Sequence, residues 1–160
     1  EANAAEVKLI LNYFVSQEYG KKIIDQLMHK YFNGTRSEAE NFYVSSKQIN
    51  TLQESGMIVG SHAVSHRMFS QLSVADQARE IQNSFDFLDS VTGGLEFRTF
   101  CFPYGGSDSF NSESERLLDE AGCSFSFKVE PRNITAEDLT ERRQALPRFD
   151  CNRFRYGQVR

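Results

Sequence analysis

The spacing of apolar positions opens the chain with two helical stretches. Val7, Ile10, Leu11, Phe14 and Val15, then Ile23, Ile24, Leu27, Met28 and Tyr31, recur at intervals of three and four, the period that gathers side chains on one face of an α-helix. Ser16, with Glu18 and Tyr19 following, marks a break and a fresh N-cap between them. Ser46 is placed to cap a third helix carrying Ile49 and Leu52 and closed by Gly56, since glycine takes the left-handed conformation that ends helices. Met57-Ile58-Val59 reads as a short buried strand ending at Gly60. Ser73, with Asp76 three residues on, has the form of a capping box and opens a helix through Ile81, Phe85 and Leu88, stopped by Gly93-Gly94. Residues 97–102 predict a strand and 103–109 its exit loop. Asn111 then caps a helix with Leu117, Leu118 and Ala121, ended by Gly122. Residues 123–129 predict a strand with Phe125 and Phe127 on one face. A helical turn over 135–139 and a last strand over 146–149 complete the series.

Strands alternating with helices predict an α/β fold of repeated β-α units on a mainly parallel sheet, preceded by N-terminal helices. Polar stretches over 33–41 and 130–143 read as exposed connections. Neither is long enough to divide the chain, so residues 1–160 read as one domain, with a helical segment over 1–45 and β/α units over 46–160.

Composition bounds what such a fold can do. Leu, Ile, Val and Phe supply 41 of 160 residues, enough for a core and against intrinsic disorder. No uninterrupted apolar run exceeds three residues, which excludes a membrane-spanning helix. With 18 Lys+Arg against 22 Asp+Glu and a pI near 5.4, the chain lacks the clustered positive charge that nucleic-acid binding requires. Cys101, Cys123 and Cys151 are odd in number and widely spaced. They read as free thiols rather than a disulfide framework or zinc knuckle, and lean the compartment toward the cytoplasm, with the cell envelope or exterior as the alternative. Two Asn-x-Thr triplets, at Asn33 and Asn133, are too short a signal to carry an argument.

Candidate chemistry sits at two predicted strand ends, where parallel α/β folds build their ligand sites. Gly60-Ser61-His62-Ala63-Val64-Ser65-His66 follows the first strand, and it holds two of the three histidines. Imidazoles four apart can turn their nitrogens toward one metal ion; a pair of hydrogen-bonded or surface histidines is the other reading. Ala63 stands where a zincin-type protease would carry its glutamate base, which argues against that class. Phe102-Pro103-Tyr104-Gly105-Gly106 leaves the second strand. Its glycines allow close backbone approach to a ligand and amide N–H groups toward a developing oxyanion, although a plain β-α turn would use the same residues.

Together the two segments resemble the polysaccharide deacetylase family, the NodB-homology carbohydrate esterases of family 4. The segment from Gly60 to His66 is similar to that family's second motif, and Phe102-Pro103-Tyr104-Gly105 to its third. The resemblance is good over residues 52–122 and looser elsewhere. It implies a partial (β/α) barrel of the NodB type and a hydrolase that removes N-acetyl groups from a sugar or polysaccharide. It further implies a divalent metal, zinc above others, held by His62 and His66, with the Tyr104 backbone amide as oxyanion donor. Pro103, Gly105, Arg148 and Asp150 become candidates for the substrate groove.

The departures shape the expectation. The family's first motif, an Asp-Asp strand end supplying a metal ligand and the general base, has no counterpart, because the sequence contains no Asp-Asp pair. Cys101 stands where an Arg commonly precedes Pro-Tyr-Gly. No His follows His66, and Leu146-Pro147-Arg148-Phe149-Asp150 resembles a divergent branch with Arg in place of the last motif's His. The expectation is the C-terminal portion of a longer deacetylase domain, beginning after the first motif, inactive alone and self-associating through open sheet edges. A non-catalytic carbohydrate-binding module of the same fold is the alternative, and an unrelated flavodoxin-like domain with an incidental His pair is a third.

Overall fold

The computed structural model describes residues 2–32 and 43–155, and the chain divides into two compact units, 1–45 and 46–160. In the first, α1 (Ala2–Leu9) runs into a π-helical turn (Ile10–Phe14), and α2 (Gln17–Phe32) follows a break at Val15 and Ser16. The break falls at the predicted place, but the wider π turn was not signalled by the apolar spacing. The predicted connection over 33–41, with its Asn33 triplet, lies outside the described residues.

The second unit is built on three parallel strands in the order β1 (Thr99–Cys101), β2 (Phe125–Val129), β3 (Leu146–Arg148). Parallel neighbours need a crossover, supplied by α5 (Ser112–Glu120) between β1 and β2 and α6 (Ala136–Glu141) between β2 and β3. Two further helices precede the sheet, α3 (Ser46–Glu54) and α4 (Val74–Thr92).

The helix ends follow their sequence signals. Ser73 accepts from the Asp76 amide at 3.2 Å to start α4, and Gly93, at φ 74°, ends it. Asn111 and Ser114 form a reciprocal capping box on α5, and Thr135 and Asp138 form another on α6. Ser46 is the first residue of α3 rather than its cap, and Gly56, at φ 83°, closes the other end.

The core lies between the sheet and the helices α4 and α5. Phe69, Phe85, Phe100 and Phe102 are fully buried together with Leu118, and Phe110 stacks on Phe102 with ring centroids 3.9 Å apart. Arg98 bridges Asp89 at 2.6 Å and the Ala121 carbonyl at 2.7 Å, tying the ends of α4 and α5 to the start of β1. On β2 Ser126, not its phenylalanine neighbours, is the fully buried residue; its register partner is Phe100 on the helix-covered face.

One predicted strand is corrected. Residues 57–60 form no strand, and Met57 and Ile58 are 58% and 70% exposed. Only Ser61 reaches the sheet, donating to the Thr99 carbonyl at 2.8 Å and accepting from the Cys101 amide at 2.9 Å. An apolar run is buried only where something covers it, and among the described residues Met57 and Ile58 lack such a cover.

Candidate functional site

Ser61 brings the histidine segment to the edge of β1, and Gly60 permits the approach. A Cβ at Gly60 would collide with Thr99 Oγ1 and lie 3.1 Å from the Thr99 carbonyl oxygen. His62 Nδ1 lies 2.7 Å from the Cys101 carbonyl oxygen. A carbonyl only accepts, so Nδ1 carries the proton and Nε2 keeps its lone pair. This is the outer bond that orients metal-ligating histidines. The His62 and His66 rings meet edge to face with centroids 4.9 Å apart, and His66 meets Tyr104 in the same way at 5.1 Å. Burial, with the nearby His66 and Arg148 adding to it, lowers the His62 pKa against the opposing pull of the Cys101 carbonyl. The neutral form is thereby favoured.

The loop is held in a conformation its residues do not prefer. Ala63, His66 and Tyr104 have positive φ, at 63°, 53° and 63°. They are the non-glycine residues of that kind among those described; Ala63 and His66 belong to the histidine loop, and Tyr104 to the neighbouring loop that meets His66. Such outliers persist only when the surroundings impose them. Here Glu80 of α4 accepts from the Val64 amide (2.9 Å), the Ser65 amide (2.9 Å) and the Ser65 hydroxyl (2.6 Å). Ser61 Oγ accepts from the Ala63 amide at 3.1 Å and donates to Ser84 Oγ at 2.7 Å. Sequence reasoning missed Glu80 and Ser84. Nothing local marks a glutamate 14 residues past the last histidine as a loop anchor, although its place on the same helix face as Ser84 is a weak signal.

The other predicted residues fall around this pair. Pro103 is buried, and Gly105, at φ 73°, donates to the Pro103 carbonyl at 2.7 Å and accepts from the Val129 amide at 2.7 Å. A Cβ at Gly105 would press on Val129 Cγ2 at 2.6 Å, so the turn needs glycine for both φ and space. Arg148 pairs in register with Val129 at the carboxyl end of β3, half-buried, with its charge felt at His62 and Cys101. Asp150 turns instead to the Asn152 amide at 2.9 Å and caps a short 3-10 turn, Cys151–Arg153. Among the described residues no group of three or more His, Cys, Asp or Glu could hold a metal ion. His62 and His66 fit a divalent metal as a donor pair, through the free Nε2 of an oriented imidazole and its edge-on neighbour, but they do not complete a coordination shell.

A parallel β/α layer with paired histidines beside the carboxyl end of β1 matches a partial fold of the NodB type. The sequence profile of the polysaccharide deacetylase family matches residues 18–125, two thirds of the chain and the whole of both loops. The chain belongs to the polysaccharide deacetylase family. Among solved structures it is similar to the Streptococcus pyogenes deacetylase PplD in complex with acetate, at a TM-score of 0.59 and 20% identity over 66% of this chain and 44% of that one. A mutant of BA3943, described as a CE4 family pseudoenzyme, matches at a TM-score of 0.45 and 18% identity over 51% and 28%. The chain thus spans less than half the length of either structure. No curated protein matches it, and no helix among the described residues is long and apolar enough to cross a membrane.

Proposed function

We propose that this chain carries the histidine half of a metal-dependent carbohydrate deacetylase site, one that removes N-acetyl groups from a sugar or polysaccharide. The observation behind this reading is the His62–His66 pair, 4.9 Å apart, with His62 fixed through Nδ1 to the Cys101 carbonyl. Zinc, the metal this donor set suits, would polarise an amide carbonyl and make hydroxide available near neutral pH. His62 and His66 would hold it. Tyr104 borders the pair through its ring contact with His66, and its backbone amide would serve as the oxyanion donor. The sequence holds no Asp-Asp pair, so a third ligand and general base of that type do not come from these residues, and the chain alone should bind zinc weakly.

Calorimetric titration of zinc into the chain and into H62A and H66A tests the reading. One zinc bound by the parent chain, and lost in both variants, is the expected result. Zinc binding indifferent to both substitutions would overturn the assignment. Sugar binding without metal binding would move the chain to the non-catalytic carbohydrate module.

A further inference from the structure

The arginines of the second unit are mostly spoken for. Arg79 pairs with Asp76, Arg98 with Asp89, Arg116 with Glu113, Arg132 with Asp138, Arg142 with Glu115 and Arg143 with Asp119. Arg148 differs. Its Nε is buried without a hydrogen-bond partner, and among the described residues it pairs with no carboxylate. Arg67 shares the unpartnered Nε, but its charge is felt by Glu80 and Asp76. The groups that feel Arg148 are an imidazole and a thiol, His62 and Cys101.

Its position is set by the sheet. Cys101, Phe127 and Leu146 share one register row, and alternate residues of a strand share a face. Arg148, two beyond Leu146, therefore stands on the Cys101 face, one step nearer the carboxyl ends where His62 is tied to the Cys101 carbonyl. A buried guanidinium N–H without an acceptor is costly, and a ligand that supplies the acceptor recovers that cost. The planar fork of arginine matches the paired oxygens of carboxylate or phosphate. We propose that Arg148 forms an oxyanion subsite beside the histidine pair, so that the N-acetyl sugar taken here carries a carboxylate or phosphate group. The proposal rests on the deacetylase reading for its sugar and on Arg148 for its charge.

The test measures binding of three probes to the whole chain at low salt: N-acetylglucosamine (neutral), N-acetylmuramic acid (carboxylate) and N-acetylglucosamine 6-phosphate. At least one anionic sugar should bind about tenfold or more tightly than the neutral one, and the tighter of the two identifies the oxyanion. The Arg148 Nε–Hε resonance should shift saturably with that sugar and not with the neutral one, a readout that needs no variant. R148Q should level the affinities, and R148K, which keeps the charge but not the fork, should retain only part of the preference. Equal binding of all three sugars, a preference that survives in R148Q, or no binding at millimolar sugar would overturn the proposal. Zinc titration of the same samples separates the two claims. Zinc bound at His62 and His66 without a charge preference sinks the subsite alone, and a charge preference without zinc sinks the metal-dependent reading alone.

Discussion

Replacing Glu80 with Ala removes one acceptor from three hydrogen bonds, those from the Val64 amide, the Ser65 amide and the Ser65 hydroxyl at 2.9, 2.9 and 2.6 Å. A bond to a charged acceptor is worth about 1.5–3 kcal/mol when buried. Glu80 is partly exposed, and solvent screening reduces the three together to about 2 kcal/mol. Against them stand Ala63 and His66, each left-handed without being glycine, at a cost of roughly 1 kcal/mol apiece. The two terms nearly cancel, so E80A should let the loop open while the phenylalanine core stays folded. Amide hydrogen exchange reads this directly. Val64 and Ser65 should exchange about thirtyfold faster, the factor corresponding to about 2 kcal/mol, with Phe100 and Phe102 protected as before. The affinity of the proposed zinc site should fall about tenfold or more, as when outer partners of ligating histidines are removed. Unchanged exchange at Val64 and Ser65, or equal acceleration of the core amides, would refute the reasoning.

The same contact predicts a pH dependence. Burial alone would raise the Glu80 pKa, but hydrogen bonds from Ser65 and Val64 outweigh it and hold the carboxyl below its ordinary value. A carboxyl depressed on folding contributes fully above its unfolded pKa, about 4.3, and that contribution is lost as pH falls through the folded value. The Val64 and Ser65 amide shifts should titrate together with a midpoint below that of an ordinary glutamate. A midpoint above it would show that the three bonds do not hold the charge.

Two further outcomes are expected. Burial pushes the Cys123 thiol up to about 12, whereas Cys151 is exposed, so alkylation near pH 8 should modify Cys151 first and reach Cys123 only in denaturant; early labelling of Cys123, seen by peptide mapping, would contradict its burial. Met57, Ile58 and Phe97 are 58%, 70% and 48% exposed near a barely paired sheet edge, so light scattering should give a mass that rises above the monomer with concentration; a monodisperse monomer throughout would count against self-association.

What could be read from the chain and what could not divide along the range of the interactions involved. Ser73 and Asp76, Asn111 and Ser114, and Thr135 and Asp138 cap helices through contacts three residues long, and such contacts are written in adjacent letters. His62 and His66 are legible for the same reason, being four apart and directly after an apolar run. Residues 57–59 carry the letters of a buried strand, but burial depends on a covering layer, and that is not local information. The left-handed Ala63, His66 and Tyr104 are harder still. Glycine or asparagine would have announced the conformation; in the histidine loop the amides between Ala63 and His66 are instead held from α4 by a glutamate 15 and 16 residues away. Arg148 is legible from its motif, yet the motif does not say that its Nε is buried and unpaired; its position depends on the β2–β3 register, which places it two residues beyond the row of Cys101. The residues of the candidate site are therefore visible in short stretches of sequence, whereas the contacts that position them are long-range, and it is through those contacts that substitutions far from either histidine should act.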